Sequence, residues 1–253
     1  MEVTRLPRRL KKEPLIDAVF ELRFASTMAA SAVLPGLLYQ SLGRGAQLQL
    51  VRLPQAELPQ RVRDADQNLR FAPLVQLHWG QFVVFVGDRT IGLGCRMPYP
   101  GWNAFSEAIS KVIAVIGETD LVGMVQRYSI KYVDLLPRND IRMQVEGLDL
   151  QLKIGLHTLV AESAHIRVEM VREDAVHIVQ VITGAQAEEV GKQEVRNGAV
   201  VDVDSVVNLN NLQMRQFIAE IKPRLDKLHT ANKRLFFECL THDMLNELEP
   251  EYE

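Results

Sequence analysis

The chain has 253 residues, of which 47% are hydrophobic and 24% are charged, and its net charge at pH 7 is -3. These proportions are those of an ordinary globular protein and exclude a disordered, collagen-like or coiled-coil chain. The weak net charge argues against nucleic-acid binding that depends mainly on nonspecific phosphate contacts. No apolar run approaches the length of about 18 residues needed to span a membrane, and no signal-peptide core follows the basic N-terminus.

The first half of the chain predicts a strand, a helical segment, further short strands and a long helix. Phe20, Leu22 and Phe24 alternate with other residues, which is typical of a strand with one buried face. The predicted elements are a strand over Leu15 to Phe24, a helix over Ala29 to Leu42 with Pro35 in its first turn, a strand over Ala46 to Leu53, a loop with a short exposed helix over 54–73, strands over Leu74 to Trp79, Phe82 to Val86 and Thr90 to Cys95, and a helix over Trp102 to Gly117.

The second half repeats this order of elements. The predictions are a strand over Val125 to Leu135, a helix or turn bordered by strand over Ile141 to Leu159, a hairpin of Ala164 to Arg172 and Ala175 to Thr183, a polar mobile loop over Gln186 to Gly198, a strand over Ala199 to Val207, a helix over Met214 to Leu228 that kinks or restarts at Pro223, a strand over Leu235 to Leu240 and a short helix over Thr241 to Leu248. The repeated order predicts an α+β fold of two similar units, 1–120 and 121–253, each a mainly antiparallel sheet packed by a long helix. It is compatible with a pseudo-twofold duplication, and with packing of both units as one compact domain.

Several stretches of the chain resemble a bacterial family of about this length, which is sporadically distributed and of unknown function. They are Glu13 to Phe24, Tyr99 to Trp102 with Phe105, Arg127 to Asp134, Val200 to Asp204, the helix ending at Leu228 and His229, and Phe236 to Thr241. The chain departs from the family pattern at Lys131 and Asp134, where Arg and Asn are typical. Sporadic distribution implies an accessory gene of a mobile bacterial defence or toxin-neutralising locus.

The glycines of the segment Ile91 to Met97 do not form a dinucleotide-binding motif. Gly92 and Gly94 give G-x-G, but Met97 stands in place of the third glycine, and the segment lies in a strand. We interpret the two glycines as space for a helix that approaches the sheet.

Two of the six histidines fall in the predicted hairpin. If Glu173 and Asp174 form a two-residue turn, His165 and His177 point to opposite faces and cannot bind one metal ion. We therefore interpret His177 as a hydrogen-bonded histidine at the edge of the core.

Two groups of charged residues are candidates for a functional site. Asp202 and Asp204 lie two apart on a strand and therefore share a face, where they could bind a divalent ion or act in acid–base catalysis. Arg127 and Lys131 share a face of another strand and could bind phosphate or an acidic partner. The structural alternatives are a polar sheet edge for the aspartates and ion pairs between strands for the cations.

The ends of the chain differ in charge. Residues 236–253 include six acidic residues and no Lys or Arg, whereas residues 1–70 carry eleven Lys or Arg and seven Asp or Glu. Cys95 and Cys239 are 144 positions apart, which favours two reduced thiols and a cytoplasmic protein.

Three functions follow from these features. The first is a non-catalytic protein-interaction module that needs no cofactor, metal or catalytic residue. It uses the sheet face and the charged ends to bind a protein partner, with Arg127, Lys131, Asp202 and Asp204 as the candidate partner-binding residues. The second is a metal-dependent hydrolase centred on Asp202 and Asp204. The third is a nucleic-acid-binding protein that uses Arg127, Lys131 and the basic N-terminus; a homo-oligomer is compatible with each.

Overall fold

The structure is a computed structural model and describes residues 5–43, 47–119, 121–188 and 195–252. The strands are β1 (Arg9–Leu10), β2 (Leu15–Ser26), β3 (Leu48–Arg52), β4 (Val75–Trp79), β5 (Phe82–Val86), β6 (Thr90–Cys95), β7 (Val122–Pro137), β8 (Lys153–Ile154), β9 (His157–Thr158), β10 (His165–Arg172), β11 (Ala175–Glu188), β12 (Val195–Gln213) and β13 (Pro250–Glu251). The helices are α1 (Leu34–Leu42), α2 (Gln60–Ala65), α3 (Trp102–Gly117), α4 (Ile141–Glu146), α5 (Met214–Ala219), α6 (Ile221–Glu238) and α7 (His242–Glu247), with short 3₁₀ turns at Ala30–Ala32 and Pro54–Glu57.

Nine strands form one antiparallel sheet in the order β10-β11-β12-β7-β2-β6-β5-β4-β3. Two further pairs, β1 with β13 and β8 with β9, form two-stranded antiparallel sheets. Helices pack on the nine-stranded sheet, so the predicted α+β class is confirmed.

The chain divides into two compact units that each combine distant segments. The first unit comprises the described residues of Met1–Ile16, Lys131–Ser205 and Leu228–Glu253, and the second those of Asp17–Ile130 and Val206–Lys227. In this division, β2, β7, β12 and α6 each contribute residues to both units.

In the second unit, β3 to β6 form successive antiparallel pairs beside β2. The sequence predicts β4, β5 and β6 well because each is a short apolar run between turn residues. Helix α3 follows with a buried stripe at spacings of three and four, as its sequence pattern predicts. The members of that stripe are Phe105, Ile109, Val112, Ile113 and Ile116.

The two glycines of β6 make room for the ring of Phe85 and not for a helix, so that interpretation of the sequence is wrong. A Cβ on Gly94 would lie 2.9 Å from Cε2 of Phe85, and one on Gly92 would lie 3.1 Å from the carbonyl oxygen of Phe20. Both neighbours belong to strands that pair with β6, so the ring of Phe85 lies across the strand at these positions.

In the first unit, the β10–β11 hairpin has the predicted register. Arg172 pairs with Ala175, and Met170 with His177, across a two-residue turn. Glu173 and Asp174 in that turn have φ of 51° and 66°, as a type I′ turn requires. The core of this unit joins the sheet to α6 and α7. Its members include Leu136, Val179, Val181, Val201, Val203, Leu235, Phe237, Leu240 and Met244.

Three predictions about element boundaries need correction. Leu235 to Leu240 is not a strand: α6 continues to Glu238, and only Leu240 makes an isolated bridge, with Leu148. The predicted loop from Gln186 to Gly198 is wrong at both ends, because β11 reaches Glu188 and β12 starts at Val195, while 189–194 lie outside the described residues. Helix α1 starts at Leu34 rather than Ala29, after the 3₁₀ turn, and Pro35 lies in its first turn as predicted.

The predicted helix restart near Pro223 is confirmed. Helix α5 ends at Ala219 and α6 begins at Ile221, so Pro223 lies in the first turn of α6. A proline is tolerated there because the first N–H groups of a helix have no acceptor within it. The predicted short helix near the C-terminus is also present as α7, and the hydroxyl of Thr241 accepts the backbone N–H of Met244 at its start.

Candidate functional site

Asp202 is at the centre of a polar cluster in the first unit. The alternation of β12 buries Val201 and Val203 completely on one side, as the sequence predicts, and directs Asp202 to the other. The ammonium of Lys131 lies 2.8 Å from Oδ2 of Asp202, and the amide of Gln180 donates to the same oxygen at 3.0 Å. Asp202 is only 7% exposed, and its other carboxylate oxygen, Oδ1, is buried without a hydrogen bond.

Asp134, on β7, is a second buried acid, and the charge of Asp202 acts on it. It is 6% exposed. Its burial raises its pKa well above the ordinary value, and the negative charges of Glu13 and Asp202 raise it further. The pKa of Glu13 is raised as well, because that side chain is partly buried. The carboxyl groups of Glu13, Asp134 and Asp202 therefore influence one another electrostatically, and the ammonium of Lys131 pairs with Asp202.

Asp204 follows two positions after Asp202 on β12 and is partly buried. In the described residues, no group of three or more His, Cys, Asp or Glu side chains is arranged to hold a metal ion. What the structure brings together is therefore Asp202 with Lys131, one residue from each of the two predicted charged groups.

Arg127 belongs to the second unit and has its own acidic neighbour. Its guanidinium lies 3.8 Å from a carboxylate oxygen of Glu21, and its side chain is about a quarter exposed. Glu21 also accepts a hydrogen bond from Arg23 at 2.7 Å. Ser129, which shares the predicted face with Arg127, is buried. Arg127 therefore lies close to the carboxylate of Glu21, which is already paired with Arg23.

The oppositely charged ends of the chain bind each other in the first unit. Strand β1 pairs with β13, and Arg9 forms an ion pair with Glu251 across them. Lys12 adds an ion pair with Glu249 at 2.8 Å. These side chains are at least about one-third exposed, so each pair contributes little to stability. The charge difference between the ends, which was a candidate feature for partner binding, is largely satisfied within the fold.

Sequence reasoning missed a buried hydrogen-bonded group on the other face of the sheet in the first unit. The hydroxyl of Ser205 lies 2.8 Å from Nδ1 of His177 and accepts the amide of Asn232 at 2.9 Å. That amide also donates to the carbonyl oxygen of Val203 at 2.8 Å. All three residues are at most 1% exposed, so this serine–histidine contact is fully buried.

The expectation that His177 is a hydrogen-bonded histidine at the core is thereby confirmed. Burial lowers its pKa, which favours the neutral ring. His165 pairs with Ile182 in the hairpin register and lies on the opposite face from His177, as predicted. The signal for Ser205 was present in the sequence, since it continues the buried series of Val201 and Val203 by one more step of two.

Both cysteines are free thiols, as predicted. Burial raises the pKa of Cys95 and of Cys239 to about 11, so neither is a reactive thiolate near neutral pH. Within the part of the chain that the structure describes, no helix has both the length and the apolar character to cross a bilayer.

Comparison of the chain with protein-family models and with curated proteins found no match.

Replacement of Asp134 by Asn should stabilise the protein at neutral and alkaline pH. Because the pKa of Asp134 is raised by folding, its contribution to the free energy of unfolding is fully present below pH 3.8 and is lost as pH rises through the folded-state pKa. Asn keeps the shape and has no charge to bury, so we expect a gain of at least about 1 kcal/mol at pH 8 that shrinks toward pH 4. Urea unfolding at several pH values measures it.

The matched control for this prediction is Asp140→Asn. Asp140 is exposed and caps α4 by accepting the backbone N–H of Arg142 at 2.8 Å, a role that Asn fills equally well. Its replacement should leave stability unchanged within about 0.5 kcal/mol. A gain from Asp134→Asn that grew toward acid pH would contradict the prediction.

Proposed function

We propose that the protein is a non-catalytic interaction module that binds another protein. The observation that supports this most is the ion pair of Lys131 with Asp202 at 2.8 Å. Asp202 is the carboxylate best placed in the sequence for metal binding or acid–base chemistry, and one of its oxygens is already bound by an ammonium and an amide of the same chain. Arg127 beside Glu21 is a second case of a candidate residue that the fold neutralises.

The resemblance to the sporadically distributed bacterial family adds the biological setting. On that basis we propose that the protein acts in the cytoplasm, as an accessory component of a mobile bacterial defence or toxin-neutralising locus. Its partner would then be the product of a neighbouring gene. No cofactor is needed for this function.

The proposal also includes a duplicated origin for the two halves of the chain. With α2, β8 and β9 left aside, the order β2, α1, β3 to β6, α3 in the first half is similar to the order β7, α4, β10 to β12, α5 and α6 in the second. This similarity of order supports the pseudo-twofold hypothesis. A superposition of an experimental structure on itself, with each half fitted to the other, would test it.

Co-purification of the tagged full chain with each neighbouring gene product tests the interaction. We expect one partner to elute with the chain in a fixed ratio. We expect the same ratio for the double variant Asp202→Asn, Asp204→Asn, because Asp202 is buried and Asp204 is partly buried, so they offer little exposed surface to a partner. A chain that elutes alone in the presence of every neighbouring product would overturn the proposal.

The two alternative functions give different results with the same samples. A hydrolase centred on Asp202 and Asp204 would carry a divalent metal in a fixed ratio, and the double variant would lose it. A nucleic-acid-binding protein would retard DNA or RNA in a gel at low salt, and the retardation would weaken steeply as salt rises. Either result would replace the proposed function.

A further inference from the structure

Strand β10 lies at one edge of the nine-stranded sheet, with β11 as its neighbour. It pairs with β11 without interruption from His165 to Arg172, so no bulge disrupts this edge in the described chain. It contains no proline. Natural sheets usually protect such an edge by a bulge, a proline, a short strand or charges that repel a second copy.

The type I′ turn determines which backbone groups of β10 are available for pairing. Arg172 and Ala175 flank the two-residue turn and form a hydrogen-bonded pair, so the N–H and C=O groups of Arg172 point toward β11. The alternation of an antiparallel ladder then directs the same groups of every second residue outward. The outward-facing residues are His165, Arg167, Glu169 and Val171.

We infer that β10 pairs antiparallel with β10 of a second copy of this chain, in a register centred on Val168. This register places Arg167 of each copy opposite Glu169 of the other. The backbone groups of Arg167 and Glu169 point outward, so these two residues form the hydrogen-bonded pairs between the copies. Val168 of one copy lies opposite Val168 of the other in a non-hydrogen-bonded pair on the twofold axis.

Charge favours this register over the two adjacent symmetric ones. A register centred on Arg167 would place two arginines opposite each other, and one centred on Glu169 would oppose two glutamates, which is unfavourable in both cases. Centring on Val168 gives two pairs of opposite charge. The two side chains are exposed by 49% and 54% and lie on one face, where they form an ion pair of 2.6 Å within the single chain.

The other face of β10 supports the same arrangement with apolar contacts. Val168 is 45% exposed, although it lies opposite the buried Val179 of β11. In the proposed register Ile166 meets Met170 of the second copy, and Met170 already packs against the core of the first unit. A second copy would therefore extend this apolar layer across the twofold axis and bury side chains that a single copy leaves partly exposed.

Analytical ultracentrifugation of the full chain measures the self-association. We expect the wild-type protein to be a dimer in the micromolar range. Arg167→Glu and Glu169→Arg each place like charges opposite each other in both pairs, so each should weaken the dimer by on the order of tenfold or more. The combined variant Arg167→Glu, Glu169→Arg restores opposite charges and should dimerise like the wild type.

A mixture of the two single variants gives a further test. The copy with two glutamates complements the copy with two arginines, so the mixture should form a heterodimer although each variant alone is largely monomeric. Arg52→Glu, on the exposed side of the opposite edge strand β3, is the matched control and should leave the dimer intact. Circular dichroism confirms that each variant is folded.

Several results would overturn the inference. They are a wild-type chain that stays monomeric at about 100 μM, a dimer that both single reversals leave unchanged, and single reversals that dissociate the dimer without rescue by the combined variant. The last result would show that these side chains are needed but that the register is different.

Discussion

Arg63→Met should lower the free energy of unfolding by about 3–5 kcal/mol, because it leaves the carboxylate of Asp88 buried without a counter-ion. Arg63 is 8% exposed and Asp88 5%. Nη2 of Arg63 donates to Oδ2 of Asp88 at 2.7 Å and Nε donates to the same oxygen at 3.1 Å. Urea unfolding followed by circular dichroism measures the loss.

The surroundings of this ion pair explain why a large effect is expected. Nη1 of Arg63 also donates to the carbonyl oxygen of Leu58, and the hydroxyl of Ser31 donates to the other oxygen of Asp88. The backbone carbonyl of Asp88 accepts the N–H of Ala30 at 3.1 Å. The pair therefore joins α2, the β5–β6 turn and the 3₁₀ turn before α1 within the second unit, and methionine replaces none of its hydrogen bonds.

Arg61→Met is the matched control, since Arg61 lies exposed two positions earlier on the same helix. It should change the free energy of unfolding by no more than about 0.5 kcal/mol. Adding Asp88→Asn to Arg63→Met removes the buried charge and should recover a large part of the loss. Equal effects of Arg63→Met and Arg61→Met would contradict the structural role of the pair.

Arg63 also illustrates why part of the fold escapes prediction from sequence. The segment from Arg61 to Arg70 is rich in charge, and its composition indicates a solvated surface. One arginine of this run is buried only because Asp88, 25 positions later, occupies the turn of a hairpin beside it. Nothing in the local pattern distinguishes Arg63 from Arg61 or Arg70. Pairings of single polar residues over such separations depend on the assembled fold.

Elements determined by local signals were predicted well. The hairpin of β10 and β11 has the expected register because a two-residue turn leaves no freedom in the pairing. The apolar stripe of α3 predicted a helix over the same residues that the structure shows. By contrast, Leu235, Phe236 and Phe237 are consecutive apolar residues, which suggested a strand. They lie in α6 and are buried because sheet and α7 cover a wide arc of the helix.

The candidate site was predicted in part. Strand alternation predicts that Asp202 and Asp204 share one face of β12. The contact of Asp202 with Lys131 depends on the pairing of β12 with β7, which the sequence does not specify. The same holds for Ser205 and Asn232, whose partners are 28 and 27 positions away. The sequence thus predicts well which side chains are buried, but it predicts poorly which of them contact each other.

The second large effect is a loss of stability in acid that depends on His229. This histidine lies on α6 and is mostly buried, with Nδ1 at 3.2 Å from the hydroxyl of Tyr132. Its burial lowers its pKa to about 3, and the positive charge of Lys233 acts in the same direction. The unfolded chain binds a proton at this side chain below about pH 6.5, whereas the folded chain does not.

The contribution of His229 to stability is therefore fully present above pH 6.5 and is lost as pH falls toward about 3. Over that range it should lower the free energy of unfolding by roughly 3–5 kcal/mol, given about 1.4 kcal/mol for each unit of pKa difference. His177 acts in the same direction, and Asp134 and Glu13 act in the opposite one. The quantity to measure is thus the difference between wild type and His229→Gln at each pH.

We expect that difference to change most between pH 6.5 and 4, because glutamine cannot take up a proton and removes this acid-sensitive term. His229→Gln should be less stable than the wild type at pH 8, where it loses the packing of the ring against Tyr132, and should lose less stability on acidification. His242→Gln, a change at an exposed histidine at the start of α7, should keep the wild-type dependence on pH. If His229→Gln and the wild type lost stability in parallel from pH 7 to pH 4, the buried neutral histidine would not be the source of the acid sensitivity.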